Sequence, residues 1–328
     1  MISIAISEVQ AVQQKYLKNI KNQYERGFEK LKHLKTKTED VNDRDYLDKI
    51  IDCFNKNKGI LTDLPSVLDQ YKIQIGDVPK IKVKDEQGIW TTRTSSIKDD
   101  IVDALNYTYL RRSFYPKYFR DLGVKTCIYC NSQFALSIET EKKVLAKFEL
   151  DHYWPKDVYP WLSICLFNLY PACKSCNNVK SIKEVDFNFY SDNNKELLKS
   201  NFKFALTKGS KATYLTSKKI DDIEIDFTEP VVKEGKHTFN DVFHIKKIYE
   251  TQLDIVEELI LKSEMYDDSY RKLLEEKYSA IGVDQVSIDR IILGNYRDIS
   301  DIHKRPLSKF MQDIAEDVGL LKPSDNLI

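Results

Sequence analysis

No sign of charge prevails in this sequence of 328 residues: 51 lysines and arginines stand against 51 aspartates and glutamates, for a formal net charge of zero. A protein that grips nucleic acid over its whole surface is strongly basic, so any contact with phosphates must come from local patches. Long apolar runs are also missing. The longest candidate, Tyr159 to Pro171, is interrupted by Ser163 and Asn168, and spanning a bilayer takes roughly 20 apolar residues. No membrane partner is therefore expected. Met1 to Gln10 lacks the basic start and apolar run of a secretory signal, which makes a cytoplasmic location the expectation. Thiols stay reduced there, so paired cysteines point to metal rather than to disulfides. The sequence contains no internal repeat, no low-complexity tract and no nucleotide-binding P-loop.

What is present is a patterned chain, long enough for two or three packed units. Leu17, Ile20, Tyr24, Phe28, Leu31 and Leu34 recur at steps of three and four, the mark of a helix with one buried face. A polar break over residues 35–42 precedes a second helix around Tyr46, Ile50, Ile51 and Phe54. Residues 59–69 read as a connection with a short helix. Short alternating segments from Tyr71 to Thr92, with Pro79 and Gly88, predict loop with a strand or two, and a helix fits Ile101 to Tyr109. From Asn201 to Val232 the pattern changes. Phe202, Phe204 and Leu206 alternate, Lys208 to Lys211 make a turn, and Tyr214 to Phe227 carry further β-type residues, which predicts a hairpin or small sheet. Val242, Ile245, Ile248, Tyr249, Leu253, Val256 and Ile260 then form one helical stripe. A last helix opens near Pro306 and stops at Gly319.

The centre of the chain carries the chemistry. Cys127-Ile-Tyr-Cys130 and Cys173-Lys-Ser-Cys176 are two C-x-x-C pairs. Two intervening residues let both sulfurs of a pair turn to one point, and two pairs supply the four thiolates of a closed tetrahedral zinc site. With every ligand position filled by sulfur, that zinc is structural. Cys53 and Cys165 fall outside the pattern and read as buried apolar residues.

Between the pairs lie Phe148-Glu-Leu-Asp-His-Tyr-Trp-Pro-Lys156 and Asn168-Leu-Tyr-Pro-Ala-Cys-Lys-Ser-Cys-Asn-Asn-Val-Lys180. In these motifs, over residues 126–184, the chain resembles the HNH endonucleases. Their order is Asp-His at a strand end, an Asn beside Leu, then a helix opening with C-x-x-C and Asn or His. The resemblance implies a ββα-metal module that hydrolyses phosphodiesters to 5′-phosphate and 3′-hydroxyl ends. The residue chemistry agrees: His152 can take a proton near neutral pH, as a general base must, and Asp151 is a hard oxygen ligand for Mg²⁺ or Mn²⁺. Neighbours on a regular strand point to opposite faces, so both can serve one site only if the strand breaks there. Pro155 makes such a break plausible. By resemblance, Asn177 completes the metal site and Asn168 fixes the loop and the orientation of His152. Asn178 competes for the role of Asn177. Lys180 either reaches a phosphate or is a solvated helix residue. Tyr153, Trp154, Tyr159 and Trp161 read as packing.

Two stretches could meet nucleic acid. Arg111-Arg112-Ser-Phe-Tyr-Pro-Lys-Tyr-Phe-Arg120 interleaves cations with aromatics, suiting phosphate contact and base stacking; its aromatics could equally pack on the zinc module. Here Arg111, Arg112 and Arg120 are expected at the edge of a cleft. Lys203, Lys208, Lys211, Lys218 and Lys219 are followed by Asp221, Asp222, Glu224, Asp226 and Glu229, and the two sets could simply pair across strands.

The expected architecture is α+β: a mainly helical region over 1–110, a zinc-stabilised nuclease module over 111–190, a small β region over 191–236 and a helical region over 237–328. The expected activity is metal-dependent cleavage of nucleic acid, DNA first. A non-catalytic zinc module that binds nucleic acid or protein is the alternative. The flanking helices suit a homodimer or a separate partner chain. In general plan the chain is similar to the HNH subunits of Septu-type antiphage systems, which act with an ATPase subunit. Without a P-loop of its own, any ATP dependence would need that second chain.

Overall fold

The computed structural model describes residues 3–84, 87–183, 185, 187–191, 202–232 and 237–322. Glu184 and Asn201, at the margins of the expected nuclease module and β region, lie outside them. The described chain is mixed, mostly helical, with small two-stranded sheets. Most of its buried apolar side chains form one cluster that includes residues from Ile4 to Leu321.

The first third is helical. Helices α1 (Ile6–Lys15), α2 (Leu17–Lys37), α3 (Val41–Lys56) and α4 (Pro65–Ile75) follow one another. Periodicity predicts α2 and α3, whereas α1 is not expected and α4 runs on through Tyr71 to Ile75, where the sequence predicts loop and strand. The side chain of Asp40 caps α3 by accepting the Asp43 N–H at 3.0 Å, and Pro65 opens α4 where no helical donor is lost. Helix α2 packs on α3 and on α5 (Ile97–Ala104). A Cβ on Gly27 of α2 would stand 3.0 Å from the end of the Leu105 side chain, so any larger residue there would have to displace that leucine slightly. The expected helix over 101–109 is in fact two. Asn106, at φ 61°, turns the chain between α5 and α6 (Tyr107–Ser113), and α7 (Tyr115–Leu122) follows. Strand β1 (Ile4–Ala5) leads the chain, and β2 (Lys80–Lys84) and β3 (Trp90–Thr94) pair as an antiparallel ribbon between α4 and α5.

The centre holds two hairpins and a short helix. Strands β4 (Leu136–Glu139) and β5 (Val144–Lys147) pair antiparallel. So do β6 (Glu149–His152) and β7 (Leu169–Ala172), with Asp151 opposite Tyr170 and His152 opposite Leu169. Helix α8 (Lys174–Lys180) follows β7 at once and packs back on β6. Strand β8 (Tyr190–Ser191) pairs in parallel with β1, tying the first residues to the centre.

Three sequence expectations beyond the centre need correction. Strands β9 (Lys203–Leu206) and β10 (Ile225–Thr228) do pair antiparallel, but Tyr214 lies in helix α9 (Ser210–Ser217) between them. A short helical turn at Ile220–Asp222 then leads from that helix into β10. The basic and acidic stretches do not pair with each other in bulk: Lys211 reaches Glu264 at 2.9 Å and Asp226 reaches Lys246 at 3.1 Å. The single stripe from Val242 to Ile260 is divided among α10 (Phe239–Phe243), α11 (Ile245–Tyr249) and α12 (Leu253–Met265). His244, at φ 52°, breaks the first from the second. Helices α13 (Asp268–Tyr278), α14 (Gln285–Leu293) and α15 (Ser308–Asp317) complete the described chain. No described helix is long and apolar enough to cross a membrane.

Candidate metal centre and catalytic cleft

The four cysteines converge. The Sγ atoms of Cys127, Cys130, Cys173 and Cys176 lie within 4.8 Å of one another. A tetrahedron with zinc–sulfur bonds of about 2.3 Å has edges of roughly 3.8 Å, so the cluster fits a zinc ion with little adjustment. Among the described residues no other group of three or more His, Cys, Asp or Glu side chains converges in this way. The first knuckle is closed by backbone bonds: Asn131 N–H donates to Cys127 O and Cys127 N–H to Gln133 O, both at 2.9 Å. Asn131 takes the left-handed conformation, φ 53°, which asparagine tolerates better than most residues. In the second knuckle, Cys173 caps α8 by accepting the Cys176 N–H on sulfur at 3.4 Å. The Ser132 hydroxyl donates to Cys130 Sγ at 3.2 Å. Hydrogen bonds from the neighbouring thiols, Cys127 first, push Cys130 far below the usual thiol range. Cys53 and Cys165 are buried away from this group.

Strand β6 and helix α8 both border a cleft of about 340 Å³, whose lining includes Tyr107, Arg111, Glu149, Asp151, His152, Asn177 and Asn178. Strand β6 continues through both Asp151 and His152 and ends there. The expected break thus comes after His152 rather than between the two, and both nonetheless border the cleft.

The His152 ring is fixed by two contacts. Its Nε2 lies 3.1 Å from the carbonyl oxygen of Ser163. A carbonyl only accepts, so Nε2 carries the proton and Nδ1 is left with its lone pair. The Tyr107 ring stands 5.0 Å away, centroid to centroid. Burial pushes the imidazole down to about 3, so it is neutral at physiological pH. Asn168 holds the loop that follows: its Oδ1 accepts the Trp154 N–H at 2.8 Å, and its amide donates to the carbonyls of Trp154 and Leu162, both at 3.2 Å. The Asn168 carbonyl takes the Tyr153 N–H at 2.9 Å. Fully buried, this amide satisfies two backbone segments flanking the histidine's environment.

Asp151 is buried beside two groups that charge or hydrogen-bond it. The Tyr129 hydroxyl donates to its Oδ2, and Lys180 Nζ lies 3.1 Å from the same oxygen. Burial raises the carboxyl above its ordinary range, while Lys180 and then Tyr129 pull it back. Lys180 departs from both expectations. It is completely buried and donates to the His152 carbonyl at 2.7 Å, so it neither sits in solvent nor stands free to meet a phosphate. The Tyr129 ring is held by stacking on Phe243 at 4.5 Å and by edge contacts with Tyr170 and Phe189.

Asn177 is half-buried and Asn178 exposed, and both border the cleft. Of the three arginines only Arg111 lines it, ion-paired with Glu149. Arg112 is exposed, and Arg120 is bound to Glu139 at 2.8 Å and to Asp121 at 3.3 Å. Sequence reasoning did not single out Tyr107, Tyr129, Glu149, Asp157 or Ser163. Tyr129 could have been found, lying between two ligand cysteines. Ser163 contributes only its backbone, which no residue pattern advertises.

No family model matches the chain, and no solved structure matches it. Over 60 residues it is 39% identical to the Septu protein PtuB of Bacillus thuringiensis, a stretch covering 18% of this chain and 21% of that protein. The chain therefore has a four-cysteine cluster able to hold a metal and a partial likeness to a Septu protein, matching about a fifth of that relative's length.

Proposed function

We propose that the protein is a metal-dependent endonuclease of the HNH kind, cutting DNA at the cleft between β6 and α8. The observation that carries this reading is the placement of His152, with its Nε2 proton committed to the Ser163 carbonyl, on a cleft shared with Asp151 and Asn177. An imidazole so held offers Nδ1 to take a proton from an attacking water. The order β6, β7, α8 supports a ββα-metal reading, with zinc on Cys127, Cys130, Cys173 and Cys176 as its staple. Asn168 is a positioning residue, holding the loop after His152.

Mg²⁺ or Mn²⁺ would be held by Asp151 and Asn177, both oxygen donors on the cleft wall. Bound there, the cation would supply positive charge against the scissile phosphate and its leaving oxygen. Tyr129 and Lys180 hold the Asp151 carboxylate in place through Oδ2. Arg111 borders the path of the substrate. The likeness to a Septu protein supports a place in an antiphage system, acting with a second chain.

Plasmid, linear DNA and RNA incubated with and without Mg²⁺ or Mn²⁺ test this. The expected result is metal-dependent cutting that falls roughly 10²–10⁴-fold in His152→Ala, the usual worth of a positioned base, with zinc content unchanged. Wild-type cutting by His152→Ala, in a preparation free of contaminating nuclease, would remove the mechanism. Binding without cutting would favour a non-catalytic zinc module.

A further inference from the structure

The ribbon formed by β2 and β3 has no role in the cleft chemistry, yet its faces are sharply different. Its register pairs Lys80 with Thr94, Lys82 with Thr92 and Lys84 with Trp90. Side chains alternate along a strand, so these six residues share one face. That face is exposed throughout, whereas Ile81, Val83 and Thr91 on the other are half-buried. Lys84 Nζ stands 5.2 Å from the centre of the Trp90 ring, which is itself 64% exposed. None of Lys80, Lys82 and Lys84 makes a salt bridge with a described residue. The strands themselves contain no acidic residue. In a chain of zero net charge, three lysines on one face of a five-residue strand, none bridged to a described acid, concentrate positive charge locally; Asp85 and Glu86 follow the strand in the sequence.

The base of the ribbon is fastened to the cleft. Val78 N–H donates to the Val158 carbonyl at 3.0 Å, and Ser95 N–H to the Pro79 carbonyl at 2.9 Å. Just beyond β3, Lys98 Nζ lies 2.8 Å from Asp157, and Pro155, Lys156 and Asp157 line the cleft.

We infer that the face of Lys80, Lys82, Lys84, Thr92, Thr94 and Trp90 is a docking surface for the phosphate backbone of duplex DNA, deepening the nuclease reading on which it rests. Alternate strand residues stand about 7 Å apart, comparable to the distance between neighbouring phosphates of one strand, so consecutive lysines can meet consecutive phosphates. The threonine hydroxyls are further donors to phosphate oxygens. A two-stranded ribbon is also of a width that the DNA major groove admits. Fastened beside the cleft, the ribbon would hold a duplex while Asp151 and His152 address one of its bonds. The rival use of such lysines is to keep an edge strand from pairing with another chain. That use predicts self-association, and no change in DNA affinity, when they are neutralised.

The test is fluorescence anisotropy with a labelled duplex of about 30 base pairs, zinc retained and no other divalent ion added, from roughly 50 to 200 mM salt. Combining Lys80→Gln, Lys82→Gln and Lys84→Gln should flatten the slope of log affinity against log salt by about 2–3 and weaken binding up to roughly a hundredfold at 0.15 M salt. Arginine at all three positions should restore both. Neutralising Lys262, Lys272 and Lys277 of the C-terminal helices should leave the slope close to wild type. An unchanged slope in the ribbon variant, an equal loss in the C-terminal control, or an effect confined to single-stranded DNA would each overturn the inference. Adding Mg²⁺ separates the two readings. A flattened slope with no cutting by wild type keeps the ribbon and removes the nuclease. An unchanged slope with active cutting does the reverse.

Discussion

Lys180 Nζ lies 3.1 Å from Asp151 Oδ2, and both side chains are buried. The same ammonium donates to the carbonyl of His152, so one lysine from α8 spans the two neighbouring residues on which the proposed chemistry depends. A buried pair of this sort is costly to break from one side, because the remaining charge has no solvent to turn to.

Lys180→Met should therefore destabilise the protein by about 3–5 kcal/mol, as loss of one partner of a buried ion pair does. Adding Asp151→Asn to it should recover a substantial part, since no charge is then stranded. Urea unfolding of the two single variants and the double variant measures the coupling. The salt dependence of DNA binding should not move in Lys180→Met, and a shallower slope would return Lys180 to phosphate contact.

The two asparagines at the start of α8 should separate under a Mg²⁺ titration of cleavage. Asn177→Ala and Asp151→Ala should each demand more Mg²⁺ for half-maximal rate, while Asn178→Ala, at the exposed position, should stay near wild type. If Asn178→Ala carries the metal phenotype instead, the ligand is one residue further along the helix.

One zinc per chain should copurify with the protein, and Cys127→Ser or Cys176→Ser should lose it. Because metal binding and folding are a single equilibrium in such modules, chelation at neutral pH should lower the melting temperature, and added zinc should restore it. Folded full-length protein free of zinc by elemental analysis would contradict the assignment.

The histidine gives a signed dependence on pH. Its folded form is held neutral down to about pH 3, whereas the unfolded imidazole takes a proton near 6.5. Between those values the unfolded chain binds more protons, so stability rises with pH across the window and is lost as pH falls. From pH 7 to pH 5, wild type should lose about 2 kcal/mol more than His152→Gln, at 1.36 kcal/mol per pH unit below 6.5. Equal losses in urea unfolding at the two pH values would show an imidazole that titrates freely in the fold.

How far the residues announced this arrangement depends on the reach of each cue. The cysteine pairs were legible because a two-residue gap acts locally, and their four sulfurs do converge. Helices α2 and α3 were legible for the same reason, whereas the end of α4 was not, its Tyr71 to Ile75 reading as loop or strand. The stripe from Val242 to Ile260 misled because three short helices each turn an apolar side to one core, and a left-handed His244 between the first two leaves the period intact. Lys180 could not be read at all. Nothing in Val179-Lys180-Ser181 tells whether that lysine faces water or the two residues of β6 that it joins. The Ser163 carbonyl was equally silent, since any residue would have supplied it.

The first knuckle is fastened to residues much later in the chain. Asn131 Nδ2 donates to the carbonyl of Ile302, 171 residues on; the Asn131 carbonyl accepts the Leu307 N–H, and its Oδ1 the Lys309 N–H. Lys125 and Thr126 both donate to the carbonyl of His303. A chain made from its N-terminus exposes Cys127 and Cys130 long before these partners exist, and regions fold as they emerge. The metal knuckle can then gather its sulfurs early but gains its full framework only when residues 302–309 arrive. A chain cut short before residue 302 would leave the knuckle without this clasp, however well its four sulfurs gather.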